Sequence, residues 1–201
     1  ANPNNPTGGW HPPAKIAELM ARVPPHILVV LDEAYREYVD GEDVLRTGGF
    51  PNLLITRTFS KIHGLAGLRA GFGIGDAEVI AMLNRIRQPF NLGGAAQTAA
   101  LAALADDAHI RRSVEMNAAG MKQIAAGLDE MQICRLPSRA NFITFCAGSP
   151  AAAARIYDGL LDAGIIIRPL SGYEMPEFLR VTVGREDENR RFLRALAELW
   201  K

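Results

Sequence analysis

Several residue classes that mark whole families of function are scarce in this chain. Only two cysteines, Cys134 and Cys146, occur in 201 residues. They form neither a Cys-x-x-Cys motif nor the disulfide framework of a small secreted domain, so free thiols in a cytoplasmic protein are expected. The histidines (His11, His26, His63, His109) are scattered without ligand spacing, and no metal is expected. Lysine plus arginine equals aspartate plus glutamate, 22 against 22, with no basic run, which argues against a nucleic-acid partner. No apolar stretch approaches the roughly 20 residues of a membrane-spanning helix, and no secretory signal opens the chain. No lysine directly follows a glycine, so the phosphate loop Gly-x-x-x-x-Gly-Lys-Ser/Thr is missing, and with it a nucleotide-hydrolysing reading.

What is present suits one or two globular domains: 48% of residues are hydrophobic. Pro12–Arg22 reads as a helix with Ile16, Leu19 and Met20 on one side. Ile27–Leu31 is an unbroken apolar run, the mark of a buried parallel strand. A charged, glycine-rich loop follows over Asp40–Pro51. Leu53–Thr56 and Ala70–Gly75 read as further strands, and Asp76 as the cap of a helix over Ala77–Arg87. Gly94–Met131 is largely helical, broken at Asp106-Asp107. Strands are expected at Ile133–Arg135, Asn141–Phe145, Ile165–Ile167 and Phe178–Val183, with helices at Ala151–Ala163 and Glu186–Trp200. Strands alternating with helices predict an α/β fold with a mostly parallel sheet. The pattern divides near Glu115, giving expected domains of 1–114 and 115–201.

Three motifs carry chemistry. Thr58-Phe59-Ser60-Lys61 through Arg69 sets an amine beside two hydroxyls and a guanidinium, with glycines between. That arrangement holds a phosphate next to an amine, as pyridoxal phosphate requires. Asp32-Glu33-Ala34-Tyr35 ends the apolar strand, at the carboxyl end where ligands of open α/β sheets bind. A carboxylate there keeps a pyridinium charged, and Tyr35 lies three positions on with a phenol to donate. The bland alternative for Asp32 is a helix cap after a strand. Asn2-Pro3-Asn4-Asn5-Pro6-Thr7-Gly8 reads as a rigid turn in which Pro6 locks Asn5.

Asn5-Pro6-Thr7-Gly8, Asp32 through Tyr35, and Ser60-Lys61 through Arg69 stand in the order seen in fold-type-I pyridoxal-phosphate aminotransferases, and the chain resembles that family over essentially its whole length. Leu65–Arg69, Ala140–Ile143, Gly164–Leu170, Gly172–Pro176 and Leu179–Gly184 bring it nearest to the histidinol-phosphate aminotransferase group. The resemblance implies the PLP-transferase fold type I, with part of a large, mostly parallel-sheet domain followed by a small C-terminal α/β domain. It also implies pyridoxal 5'-phosphate as cofactor. Lys61 would be the lysine that condenses with it. Asp32 would pair with the ring nitrogen, and Asn5 and Tyr35 would hydrogen-bond the ring 3-oxygen. Thr58, Ser60 and Arg69 would hold the phosphate, and Arg180 would bind the substrate's anionic group. Arg168 and Asn141 are further substrate-site candidates, and His63 is read as packing.

The implied reaction is transamination of histidinol phosphate with 2-oxoglutarate, in histidine biosynthesis. An aromatic amino-acid transaminase and a decarboxylase of phosphorylated amino acids share these residues. A homodimer is implied for the complete enzyme. Family members carry a longer N-terminal part, so a fragment with exposed sheet edges is expected, and an inactive remnant stays open as a third reading.

Overall fold

A computed structural model describes residues 1–41, 43–44 and 49–200. The loop expected over Asp40–Pro51 therefore lies partly outside the described residues. The chain divides into two compact units, Ala1–Pro3 with Trp10–Arg112, and Asn4–Gly9 with Ser113–Lys201. The sequence reading kept Asn4–Gly9 in the first domain; it groups with the second unit.

The first unit contains α1 (Pro13–Met20), β1 (Val29–Asp32), β2 (Leu53–Thr58), β3 (Gly71–Ile74), α2 (Ala77–Ile86) and α3 (Gly94–Leu104). The unit boundary falls inside α4 (Asp107–Glu130). The sheet runs β1-β2-β3 and is mixed: β1 and β2 are parallel, β2 and β3 antiparallel. One face is packed, with Leu31, Leu53 and Ile55 against Ile16 and Met20 of α1 and against Val44. Along β1 the other phase is open, and Val30 is 55% exposed.

The buried strand expected at Ile27–Leu31 is thus corrected in two ways. Pairing begins at Val29 and includes Asp32, and Ile27 and Leu28 are each 46% exposed. A parallel strand reads as an apolar run when both faces are covered; here β1 is an edge strand with one covered face, so burial alternates. Leu19, expected inward, is exposed.

Asp76 caps α2 by accepting from the Glu78 N–H at 2.9 Å. The alanines of α3 let a helix approach closely: Ala96 and Ala100 pack on Phe59 and Ala70. Asp106 starts α4 by accepting from the His109 N–H at 2.9 Å.

The second unit adds β4 (Phe142–Cys146), α5 (Pro150–Asp162), β5 (Arg168–Pro169), β6 (Phe178–Thr182) and α6 (Glu186–Leu199). The sheet order is β4-β6-β5, all antiparallel. Helices α4, α5 and α6 cover one face through Ile124, Leu128, Ile156, Leu160, Phe192 and Leu196, against Phe145 and Leu179. Each fully buried side chain of this size contributes about 1.5–3 kcal/mol. The strand expected at Ile165–Ile167 lies instead at Arg168–Pro169, and Ile166 is 82% exposed. The isoleucines complete the turn after α5, where Gly164 has φ +70 and the Ile165 N–H bonds to Leu160 O.

The turn Asn4–Gly9 is stitched to this unit. The Thr144 hydroxyl donates to Pro6 O at 2.5 Å, and the Arg139 N–H donates to Gly8 O at 2.9 Å. Gly8 is required twice over: its φ is +79, and a Cβ there would lie 2.8 Å from Ser138 Cα. Among the described residues no helix is long and apolar enough to cross a membrane.

Candidate active site

Backbone hydrogen bonds shape the segment between β2 and β3 into a loop that presents Lys61. The Phe59 N–H bonds to Ala70 O, the Leu65 N–H to Phe59 O, and the Gly64 N–H closes a turn on Lys61 O. Gly64 has φ +71, which a residue with a side chain would resist. Phe59 and Ile62 are buried while Lys61 is exposed, so the loop anchors on its apolar neighbours and offers the amine outward. Lys61 Nζ stands 5.3 Å from the centroid of the Tyr35 ring. Two motifs that are far apart in sequence meet here.

Tyr35 follows β1 directly and is 5% exposed. Asp32, the last residue of β1, is exposed; its Oδ1 accepts from the Ala34 N–H at 2.9 Å. That short turn orients the carboxylate and engages one of its oxygens.

At the far end of the loop, Arg69 is in the left-handed region (φ 53). Its Nη1 donates to Ala66 O at 2.8 Å and reaches Ser60 Oγ at 3.5 Å. Thr58 is more committed: its hydroxyl accepts from the Ser60 N–H at 3.0 Å and approaches Ala70 O at 3.4 Å. Lys61, Asp32, Tyr35, Thr58, Ser60 and Arg69 therefore all belong to the first unit. An amine, a hydroxyl and an exposed guanidinium on one loop, with a carboxylate at a strand end, form a donor set that suits an aldehyde bearing a phosphate ester.

The other candidates belong to the second unit. Arg180 lies on β6 with its guanidinium 4.8 Å from the centroid of Phe142. It donates to Asn5 Oδ1. A guanidinium can only donate, so Asn5 turns its carbonyl to Arg180 and its NH2 away. Arg180 Nε is buried and has no hydrogen-bond partner among the described residues, a donor that a bound anion would satisfy. Arg168 is exposed and sits opposite Arg180 in the β5–β6 register. Asn141 is half-buried, and its carbonyl accepts from the Val183 N–H at 2.9 Å.

Charged residues that sequence reasoning passed over support this arrangement. Glu33 is 2% exposed, and its Oε2 takes Arg57 Nε at 3.0 Å and Nη2 at 2.7 Å. Arg57 Nη2 also meets Asp43 Oδ2 at 2.5 Å. Burial raises the Glu33 pKa, and Arg57 opposes that rise. Burial works against the Arg57 charge, but its bonds to Asp43 and Glu33 prevail and its pKa is raised. Alternation along each strand sets Glu33 and Arg57 on the packed face, leaving their neighbours Asp32 and Thr58 for the other. The signal was in the sequence: Arg57 shares the phase of Leu53 and Ile55, and a charge in an apolar phase demands a partner.

His109 was also missed. Its Nε2 lies 2.8 Å from Ile62 O; a carbonyl only accepts, so this nitrogen carries the proton and pins the residue after Lys61. His63 is held by the Ala103 backbone and packs on Phe59 at 5.0 Å between ring centroids.

The profile of the aminotransferase class I and II family matches residues 1–196. The chain belongs to that family. Among relatives, it is 52% identical to histidinol-phosphate aminotransferase 1 of Thiobacillus denitrificans, over 99% of this chain and 52% of that protein. It is 50% identical to histidinol-phosphate aminotransferase 2 of Nitrosospira multiformis, over 98% of this chain and 51% of that protein. Among solved structures, it matches histidinol-phosphate aminotransferase from Sinorhizobium meliloti, determined in complex with pyridoxal-5'-phosphate. That match has a TM-score of 0.91 and 31% identity, covering 99% of this chain and 56% of that one. The chain spans about half the length of these relatives. Its α/β architecture is the fold-type-I fold of the aminotransferase family, as the motifs implied.

Proposed function

We propose that the protein to which this chain belongs is a pyridoxal-phosphate-dependent aminotransferase that converts histidinol phosphate and 2-oxoglutarate to imidazole acetol phosphate and glutamate. The observation that carries the reading is the meeting of Lys61 with Tyr35 beside the Asp32 strand end. The relatives' printed names support the choice of substrate.

When bound, the cofactor supplies an aldehyde for an amine and a ring that accepts the electron pair left by a breaking C–H bond. Lys61 would offer the amine that holds the cofactor's aldehyde, and its Nζ, when free, would hold and return the α-proton as general base and then acid. Asp32 contributes a fixed negative charge through the oxygen not engaged by Ala34, keeping its cationic partner protonated. Ser60 and Arg69 grip the phosphate as a hydroxyl and a forked cation. Thr58 positions Ser60 by accepting its N–H, and Tyr35 and Asn5 offer hydrogen bonds to the ring's oxygen. Arg180 binds the anionic end of each substrate, a phosphate in one half-reaction and a carboxylate in the other, since its fork fits both. Arg168 and Asn141 complete the substrate side.

The deciding experiment adds pyridoxal phosphate, reduces with borohydride and maps the mass adduct. Modification at Lys61, lost in Lys61→Ala, is expected. Labelling spread over other lysines, unchanged in that variant, refutes the assignment. Competition between histidinol phosphate and phenylalanine as amino donors on the full-length enzyme then tests the substrate.

A further inference from the structure

The two cysteines, set aside by their spacing in sequence, are brought face to face by the fold. The Cys146 N–H donates to Cys134 O at 2.8 Å, and the Leu136 N–H donates to Thr144 O at 2.8 Å. Between these bonds Arg135 pairs with Phe145 in an antiparallel bridge. Cys134 and Cys146 are therefore directly opposite each other, one step along the same ladder. Opposed residues of this kind have Cα atoms about 5.5 Å apart, inside the range of about 4.4–6.8 Å that a disulfide spans.

Strand alternation fixes their side as well. Ile133, Phe145 and Ala147 all lie in the second unit's apolar core. Cys134 and Cys146, in the opposite phase, share the other face. Both are free thiols; Cys134 is exposed and Cys146 half-buried, so a small oxidant reaches them. Cys146 Sγ accepts from the Gly148 N–H at 3.3 Å, which orients the sulfur on that face.

We propose that Cys134 and Cys146 form a reversible dithiol–disulfide pair, with a hydroperoxide as the oxidant. The Cys146 thiolate attacks the terminal peroxide oxygen; an S–O bond forms, the O–O bond breaks, and the alkoxide takes up a proton as an alcohol. The Cys134 thiol then attacks the Cys146 sulfur; the S–S bond forms, the S–O bond breaks, and the departing hydroxide takes the Cys134 thiol proton and leaves as water. The two sulfurs lose two electrons together and the peroxide gains them. An external dithiol reverses the bond by exchange. The closed loop contains Ser138 through Asn141, and Arg139 holds Gly8 through its N–H. Oxidation thus staples the hairpin that carries the Asn4–Gly9 turn.

The test exposes the reduced chain to hydrogen peroxide at low protein concentration, alkylates it in denaturant and measures intact mass. The expected product is a monomer lacking two hydrogens, closed to alkylation and restored by dithiothreitol. Trypsin cuts after Arg135 and Arg139, so the two cysteine peptides stay joined through sulfur alone. The oxidised form should unfold several degrees higher than the reduced form. Cys134→Ser and Cys146→Ser should each abolish both the linked peptides and that shift. Phenylarsine oxide, which bridges neighbouring thiols, should consume both thiols of the reduced wild type in a one-to-one complex. Sulfinic acid on one cysteine with the other still alkylatable, disulfides between molecules only, or failure to take up the arsenical would each overturn the proposal.

Discussion

Replacing Arg57 by leucine removes the only hydrogen-bond donor to Glu33 Oε2 found among the described residues and leaves that carboxylate in a site where its side chain is 2% exposed. Breaking a buried ion pair from one side costs about 3–5 kcal/mol, because the surviving charge is uncompensated. Asp43, the second acid on Arg57, is 25% exposed and can be hydrated, so it adds little. The converse change, Glu33→Leu, leaves Arg57 bound to Asp43 at 2.5 Å and should cost less, about 1–3 kcal/mol. Replacing both by leucine removes the buried charges together, and the double variant should be more stable than Arg57→Leu alone by about 2 kcal/mol.

The pH dependence has a definite sign. Burial already raises the Glu33 pKa above 4.5, and Arg57 opposes that rise. Without Arg57 the value climbs further. A raised carboxyl stabilises the fold when protonated, so the Arg57→Leu deficit should shrink as pH falls through the folded pKa and grow as pH rises. Urea unfolding followed by circular dichroism, at neutral and mildly acidic pH, measures all three variants. Additive losses in the double variant, or a deficit for Arg57→Leu that stays constant with pH, would refute the clamp.

Two further outcomes follow from single contacts. His63 is held neutral by burial first and by nearby His109 second, so its pKa is lowered below 6.5; the stability it contributes is present above that value and lost as pH falls through the folded pKa. His63→Phe should flatten the acid side of a plot of melting temperature against pH, and an unchanged slope would remove His63 as its source. Gly8→Ala should destabilise the second unit by about 1–3 kcal/mol, from positive φ and from overlap with Ser138. Ser138→Ala should rescue little, because the backbone Cα of Ser138 is itself 2.8 Å from the new methyl; full rescue would show that the side chain alone is the obstacle.

Local signals in the sequence located most elements. The Asp76 cap and the alanine-rich α3 act where their chemistry predicts. The errors arose where burial depends on neighbours. Ile27–Leu31 and Ile165–Ile167 are apolar runs, yet apolarity alone does not say which faces are covered or where a turn takes up residues. The candidate site was legible as motifs because each role needs a particular functional group: an amine, a carboxylate, a phenol, a guanidinium. The supports around it were not. The phase of Arg57 on β2 demanded some partner, but nothing in the spacing names Glu33 and Asp43 as that partner, or pairs His109 with Ile62; only tertiary packing creates those contacts.

The stitching of Pro6 to Thr144 and of Gly8 to Arg139 bears on how the protein is made. On a ribosome Pro6 emerges 138 residues ahead of Thr144, so the turn waits for β4 and the second unit cannot close before that strand has appeared. A translation product that stops short of Arg139 and β4 leaves that turn without these two partners.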